Sequence, residues 1–302
     1  MADRLIINIA GVNIQVTSSP LKLSEDFDLP YRPFLSPWNS PAVSDISVDV
    51  MVMGDQDMRG IPKIFDSGQS WSMHKQGNTY YIAYNSPSGE RPFWIAKSNE
   101  DFSKITVYCS PGMNGSAQEA GAITNPVRYP LDQIILMYYL AHHSGILIHA
   151  SGIEIKQKGY IFAGRSGAGK TTIAMQFLAR HYAGLLSDDR VILREINHSF
   201  RVFGTPWPGK GGITQNTNIP LAGIFFLHHS SHNRIEHVNA KTALKGLLPV
   251  ASIPWYDPGR MDDILRTCGK LIENVPVYML HFRPDADIVD AFEDFLSGTV
   301  LT

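Results

Sequence analysis

Residues Gly164-Arg165-Ser166-Gly167-Ala168-Gly169-Lys170-Thr171 fit G-x-x-x-x-G-K-[ST], the Walker A phosphate-binding pattern. In that pattern the glycines let consecutive backbone N–H groups turn inward on a polyphosphate, the lysine reaches the outer phosphates and the hydroxyl ligates Mg²⁺. The cradle here comprises Gly164, Ser166, Gly167, Ala168 and Gly169, continued by Thr172; Lys170 takes the outer phosphates and Thr171 the metal. The competing reading is a glycine-rich turn with an incidental lysine. Eighteen residues beyond Lys170, an apolar run from Gly184 ends in Asp188-Asp189-Arg190. Adjacent acids suit a turn or a helix cap. At this distance from a phosphate-binding lysine they also suit Mg²⁺ ligands and a base for an acceptor hydroxyl, with either aspartate in either role. A further cation, Lys210, sits in Thr205-Pro206-Trp207-Pro208-Gly209-Lys210-Gly211-Gly212. Its glycines could let the backbone approach a phosphate, and a rigid proline turn with a solvated lysine explains the stretch equally well. Together these groups have the parts for phosphoryl transfer from a nucleotide, a reaction that rests on positioning and charge stabilisation.

Such residues need elements to hold them. Tyr160 to Ala163 reads as a strand leading into the glycine loop, and Thr172 to Arg180 as a helix leading out. Ile146 to Ile155 is a second strand, joined to the first only by Lys156-Gln157-Lys158-Gly159; so short a link makes the two antiparallel neighbours. That strand carries His149, which as a lone histidine on an apolar strand reads first as a core residue. Downstream, strands are expected at Val191 to Ile196, Phe200 to Gly204, Leu221 to Leu227 and Val277 to Phe282, with helices at Ala240 to Leu248, Met261 to Glu273 and Ala286 to Leu296. Trp255 to Pro258 reads as a linker. His228-His229-Ser230-Ser231-His232 reads as a polar loop, since no acid or cysteine stands at zinc-ligand spacing.

Residues 1 to about 110 alternate apolar and polar residues in short runs, as a small antiparallel β domain would, and the aromatics Tyr80, Tyr81, Tyr84, Trp94 and Tyr108 read as packing. Pro111 to Pro130 is the expected boundary region, dividing the chain into domains 1–115 and 116–302, and Leu131 to His143 has helical spacing. The net charge of −2 leaves no electrostatic footprint for nucleic acid or an anionic membrane. Two cysteines, Cys109 and Cys268, make no disulfide framework, and neither a signal segment nor a membrane span is visible, so a reducing cytoplasm is the expected setting.

His149, the short hairpin, the glycine loop and Asp188-Asp189-Arg190-Val191 occur in one order and at close spacing. Together they resemble the catalytic domain of HPr kinase/phosphorylase, whose P-loop fold is shared with phosphoenolpyruvate carboxykinase. The resemblance covers roughly residues 144–230. It implies an α/β (α+β) chain, a C-terminal P-loop domain with a mixed sheet preceded by the β domain, with ATP and Mg²⁺ as cofactors. It further implies that His149, fifteen residues ahead of Gly164 as in that family, lies beside the transferred phosphate, and that the aspartates supply a base and a metal ligand. The family's Glu-x-Arg-Gly-x-Gly signature has no counterpart, since Gly204 to Gly212 holds no carboxylate. The N-terminal half is more similar to the small β domain of stand-alone HPr-kinase-like proteins, some of which phosphorylate ribosomal peptides. The expected activity is a Mg²⁺-ATP-dependent kinase acting on a hydroxyl of a peptide, protein or small molecule, in a chain that could form homo-oligomers as HPr kinases do. An ATPase switch governing a partner is the alternative.

Overall fold

The computed structural model describes residues 4–19, 22–23, 28–36, 43–54, 56–68, 70–84, 92, 94–109, 122–123, 125–180, 184–285 and 287–298. These fall into two compact units, Met1–Tyr139 with Trp255–Pro258, and Leu140–Pro254 with Gly259–Thr302. The boundary expected at 115/116 lies outside the described residues, as does Ala286, the expected start of the last helix.

The first unit is built on strands β1 (Arg4–Ile9), β2 (Val12–Ser18), β3 (Lys22–Leu23), β4 (Leu35–Ser36), β5 (Ile46–Val52), β6 (Lys63–Asp66), β7 (Trp71–Gln76), β8 (Thr79–Tyr84), β9 (Trp94–Ser98), β10 (Lys104–Cys109) and β11 (Ala122–Ile123). Nine of them form one sheet in the order β4-β1-β2-β5-β10-β9-β8-β7-β6, and β3 pairs with β11. The β1–β2 hairpin turns through Ala10 and Gly11, both at positive φ (54° and 73°). Alternation sets the faces: Val12, Ile14, Val16, Ile46, Val48, Val50, Ile105 and Val107 are buried. Three pairings differ from the antiparallel expectation, the short β3–β11 pair and both pairings of β5. Strand β5 runs parallel to both β2 and β10, because each link to it is far longer than a hairpin turn and returns the chain to the same end of the sheet. Tyr80 and Trp94 are core side chains, and Tyr80 meets Phe102 and Tyr138 at ring distances of 5.3 Å. Residues Trp255–Pro258, read from sequence as a linker, belong to this unit through buried Asp257, which accepts a hydrogen bond from the Tyr80 hydroxyl at 2.6 Å.

Helix α1 (Leu131–His142) is followed in the second unit by β12 (Gly145–Ile155), β13 (Lys158–Ala163), α2 (Lys170–Ala179), β14 (Gly184–Ser187), β15 (Arg190–Ile196), β16 (Ser199–Phe203), β17 (Asn218–His229), β18 (Arg234–His237), α3 (Ala240–Leu247), α4 (Pro258–Asn274), β19 (Val277–Phe282) and α5 (Asp287–Ser297). The β12–β13 pair is antiparallel, its turn made by Lys156 and Gln157 at φ 51° and 62°. Strand β13 then lies parallel to β17, which lies parallel to β19, so the sheet is mixed. Strand β12 pairs with β15 along Gly145–His149 and with β13 and β14 farther on. Because β17 reaches both β16 and β13, the strands β13-β12-β15-β16-β17 close on themselves. Helices α2 and α5 cover one face, where Phe162, Phe177, Phe225 and Phe292 are fully buried. Each such phenyl stabilises the unit by roughly 2–3 kcal/mol. Helix α4 begins at Pro258, three residues before its expected start, since proline's fixed φ suits a first helical turn. Both cysteines are buried, and burial pushes their thiols up to about 12. Among the described residues no helix is long and apolar enough to cross a membrane.

Candidate functional site

Strand β13 ends at Ala163 and α2 begins at Lys170, so residues 164–169 form the strand-to-helix loop that the motif requires. Two of its glycines, Gly167 and Gly169, have φ of 82° and 96°, values that side-chain-bearing residues rarely adopt. Two are also short of space. A Cβ on Gly164 would lie 2.6 Å from Ala168 Cβ, and one on Gly169 would lie 2.6 Å from Phe282 Cζ. No side chain caps α2 at Gly169, so the first amides of the helix face the loop free of a capping oxygen. A glycine-lined concavity at the positive end of a helix dipole suits a polyphosphate. Ser166, Gly167 and Thr172 are exposed, while Gly164, Ala168, Gly169 and Thr171 are half-buried.

Lys170 folds back over this loop. Its Nζ donates to the carbonyls of Gly164 (2.9 Å) and Arg165 (3.2 Å), and the residue is only 6% exposed. Burial holds its ammonium below the ordinary lysine range, against the attraction of Asp189.

Pairing of β12 with β15 sets His149 opposite Arg190, and so beside Asp189 at the head of β15. His149 Nε2 and Asp189 Oδ1 are 3.0 Å apart, and Arg190 Nε is 3.6 Å from Asp189 Oδ2. The His149 hydrogen bond, more than any other cause, holds the Asp189 carboxyl below the usual carboxylate range, with the charges of His149, Arg190 and Lys170 assisting and burial opposing. Asp189 thus stays ionised at neutral pH within reach of the electrostatic influence of the P-loop lysine.

Asp188 has a different environment. It is 1% exposed, and its carboxylate accepts the backbone N–H groups of Gly209 (2.8 Å) and Gly211 (2.6 Å). Its main-chain carbonyl accepts Ser151 Oγ at 3.0 Å. Lys210, between the two bound amides, is exposed. The structure therefore gathers Lys170, Asp189 and His149, with Arg190, into one electrostatic cluster, and occupies Asp188 with the 205–212 loop.

The sequence reading placed His228 and His229 in a polar loop, and the structure places them in a strand. Strand β17 continues past its expected end at Leu227 to His229, whose Nε2 lies 3.4 Å from the Gly167 carbonyl and whose ring packs on Phe282 at 4.9 Å. The signal lay in parallel pairing: strands that run parallel to β13 end at the same edge of the sheet as the loop.

Residues 129–293, more than half of the 302-residue chain, match the family model described as SynChlorMet cassette protein ScmC. Among the solved structures that match is the Hpr(Ser) kinase/phosphatase from Coxiella burnetii, at 13% identity and a TM-score of 0.31, over 50% of this chain and 93% of that one. No curated protein matches.

Proposed function

The chain belongs to the family of SynChlorMet cassette protein ScmC, and from that premise we propose that its second unit binds a nucleoside triphosphate and transfers the γ-phosphoryl group to a hydroxyl acceptor. The observation that carries this reading is the meeting of a P-loop lysine with an ionised aspartate paired to a histidine. The loop suits a polyphosphate because Gly167 and Gly169 sit at φ values of 82° and 96° ahead of a helix start without a side-chain cap.

In this reading a carboxylate oxygen of Asp189 takes the acceptor's proton and the carboxyl becomes neutral, while the hydrogen bond to His149 at 3.0 Å holds it in place. The acceptor oxygen forms its bond to the γ-phosphorus as the bond to the β–γ bridging oxygen breaks. The nucleoside diphosphate leaves with the bridging oxygen, its new charge met by Lys170 and the amides at the start of α2. Thr171 Oγ1 would hold Mg²⁺, and the ion would neutralise phosphate charge. Lys170 turns from the loop carbonyls to the phosphates, a change that replaces neutral acceptors with anionic ones. The acceptor is proposed as a serine-type hydroxyl on a peptide, protein or small molecule, with ATP as donor and the cytoplasm as setting.

The test is intact-mass spectrometry of a peptide and metabolite fraction incubated with Mg²⁺-ATP and either wild-type protein or Lys170→Ala. A phosphoryl mass gain with the wild type alone supports the proposal and identifies the acceptor. ADP accumulating through Lys170 with no phosphorylated product overturns transfer and leaves a nucleotide-hydrolysing switch.

A further inference from the structure

Asp188 and Asp189 are adjacent in sequence and do different things. We propose that Asp188 is a positioning residue: it clamps the 205–212 loop to the strand that carries the site and so presents Lys210 to the polyphosphate, without ligating a metal. The presentation of Lys210 rests on the phosphotransferase reading; the clamp does not.

Four observations converge. Both carboxylate oxygens of Asp188 are taken, one by Gly209 N–H at 2.8 Å and one by Gly211 N–H at 2.6 Å. To ligate a cation as well, the carboxylate would have to offer its remaining lone pairs from a position only 1% exposed while holding both amides, and charge-assisted bonds of this kind are the strong ones. Second, the glycines are explained by the carboxylate itself. A Cβ on Gly209 or Gly211 would lie 2.8 or 2.7 Å from Asp188 Oδ2, so only glycine lets both amides approach it. Gly212 closes the turn at φ 69°, its N–H donating to Gly209 O at 3.2 Å. The loop that reads in sequence as glycines free to meet a ligand thus has its glycines turned onto a buried side chain.

Third, the clamp is tied at its root. The Asp188 carbonyl accepts from Ser151 Oγ at 3.0 Å, and Ser151, itself 0% exposed, stands two residues from His149 on β12. The beginning of the loop is attached to the same segment, Thr205 Oγ1 donating to Arg190 O at 2.6 Å, and just past its end Thr214 bridges to Ser187. The loop's two ends and its middle are therefore fastened to residues 187–190. Fourth, Lys210 is the single residue between the two held amides, and its side chain is exposed. Fixing the backbone on both sides removes conformational freedom that a cation on a free glycine loop would lose on binding phosphate.

Hydrogen exchange read by mass spectrometry, on the full chain without nucleotide or metal, tests the clamp. The Gly209 and Gly211 amides should be protected in the wild type. Asp188→Asn keeps one acceptor oxygen and turns an NH₂ toward the other amide, so exchange over 205–212 should accelerate by about tenfold or more. Asp189→Asn should leave it unchanged. Wild-type amides at 209 and 211 exchanging as fast as that of Lys210 would overturn the clamp even if Asp188→Asn does not fold. Nucleotide affinity, measured with Mg²⁺ and again in EDTA, tests the presentation of Lys210. Asp188→Asn and Lys210→Ala should weaken binding by similar factors in both conditions, and the double variant should be no worse than either alone. A loss confined to the Mg²⁺ condition, or losses that multiply, would make Asp188 a metal ligand and overturn the proposal. If the wild type binds no nucleotide, the phosphotransferase reading falls together with the role given to Lys210, while the exchange data still decide the clamp.

Discussion

Replacing Lys170 with methionine should separate stability from binding. The residue is 6% exposed, and its ammonium donates to two loop carbonyls, Gly164 at 2.9 Å and Arg165 at 3.2 Å. Burial holds it below the ordinary lysine range even with Asp189 nearby, so these partners do not fully offset the loss of water. Methionine fills a similar volume without a charge, and half-buried Gly164 can pass its carbonyl to solvent. Exchanging a poorly compensated buried charge for an apolar group is neutral to stabilising, here by about 1 kcal/mol, or roughly 2–4 °C in Tm for a unit of this size. Between the depressed folded value and the unfolded lysine value near 10.4, the unfolded chain binds more protons, so wild-type stability rises with pH there. The methionine variant lacks that gain, and the two Tm curves should converge at alkaline pH. Binding should move the opposite way. Loss of a desolvated cation against phosphate costs at least about 2 kcal/mol, roughly thirtyfold in Kd. Thermal denaturation against pH and calorimetry with Mg²⁺-ATP measure the two effects. A variant several degrees less stable at neutral pH that still binds nucleotide would refute the reasoning, since Lys170 would then be a structural strut.

Three more outcomes follow from the geometry. Asp189→Asn should lower the rate of phosphoryl transfer by about 10²–10⁴ with nucleotide affinity within a few-fold, and adding His149→Ala should cost little more; an unchanged rate removes the proton-acceptor role. Gly169→Ala places a Cβ 2.6 Å from the ring of fully buried Phe282 at a φ of 96°, so nucleotide binding should be lost; circular dichroism should show the fold retained, and normal affinity would mean the cradle is not the binding site. Gly204→Ala would set a Cβ 2.0 Å from Gln215 O and 2.7 Å from Leu186 O, both backbone atoms, and should destabilise by about 3 kcal/mol or more, read as a fall in Tm.

What was legible in the sequence was local. The glycine loop, its strand and its helix occupy one continuous stretch, and the β12–β13 hairpin follows from a link too short to cross over. The different work of two neighbouring aspartates was not legible, because it is decided by backbone amides more than twenty residues away that no periodicity connects to them. The same distance in sequence hid His229, which reaches the loop only because β13 and β17 run parallel, and the parallel placement of β5 between β2 and β10. Hydrophobic patterning fixes which face of a strand is buried and says nothing about which strand lies next to it. At this site the consequence is chemical as well as topological. Asp188-Asp189 offers two like carboxylates in sequence; the fold turns one toward amide donors and one toward His149, Arg190 and Lys170. Two like carboxylates thus come to have different partners, backbone amides for Asp188 and His149 with Arg190 for Asp189.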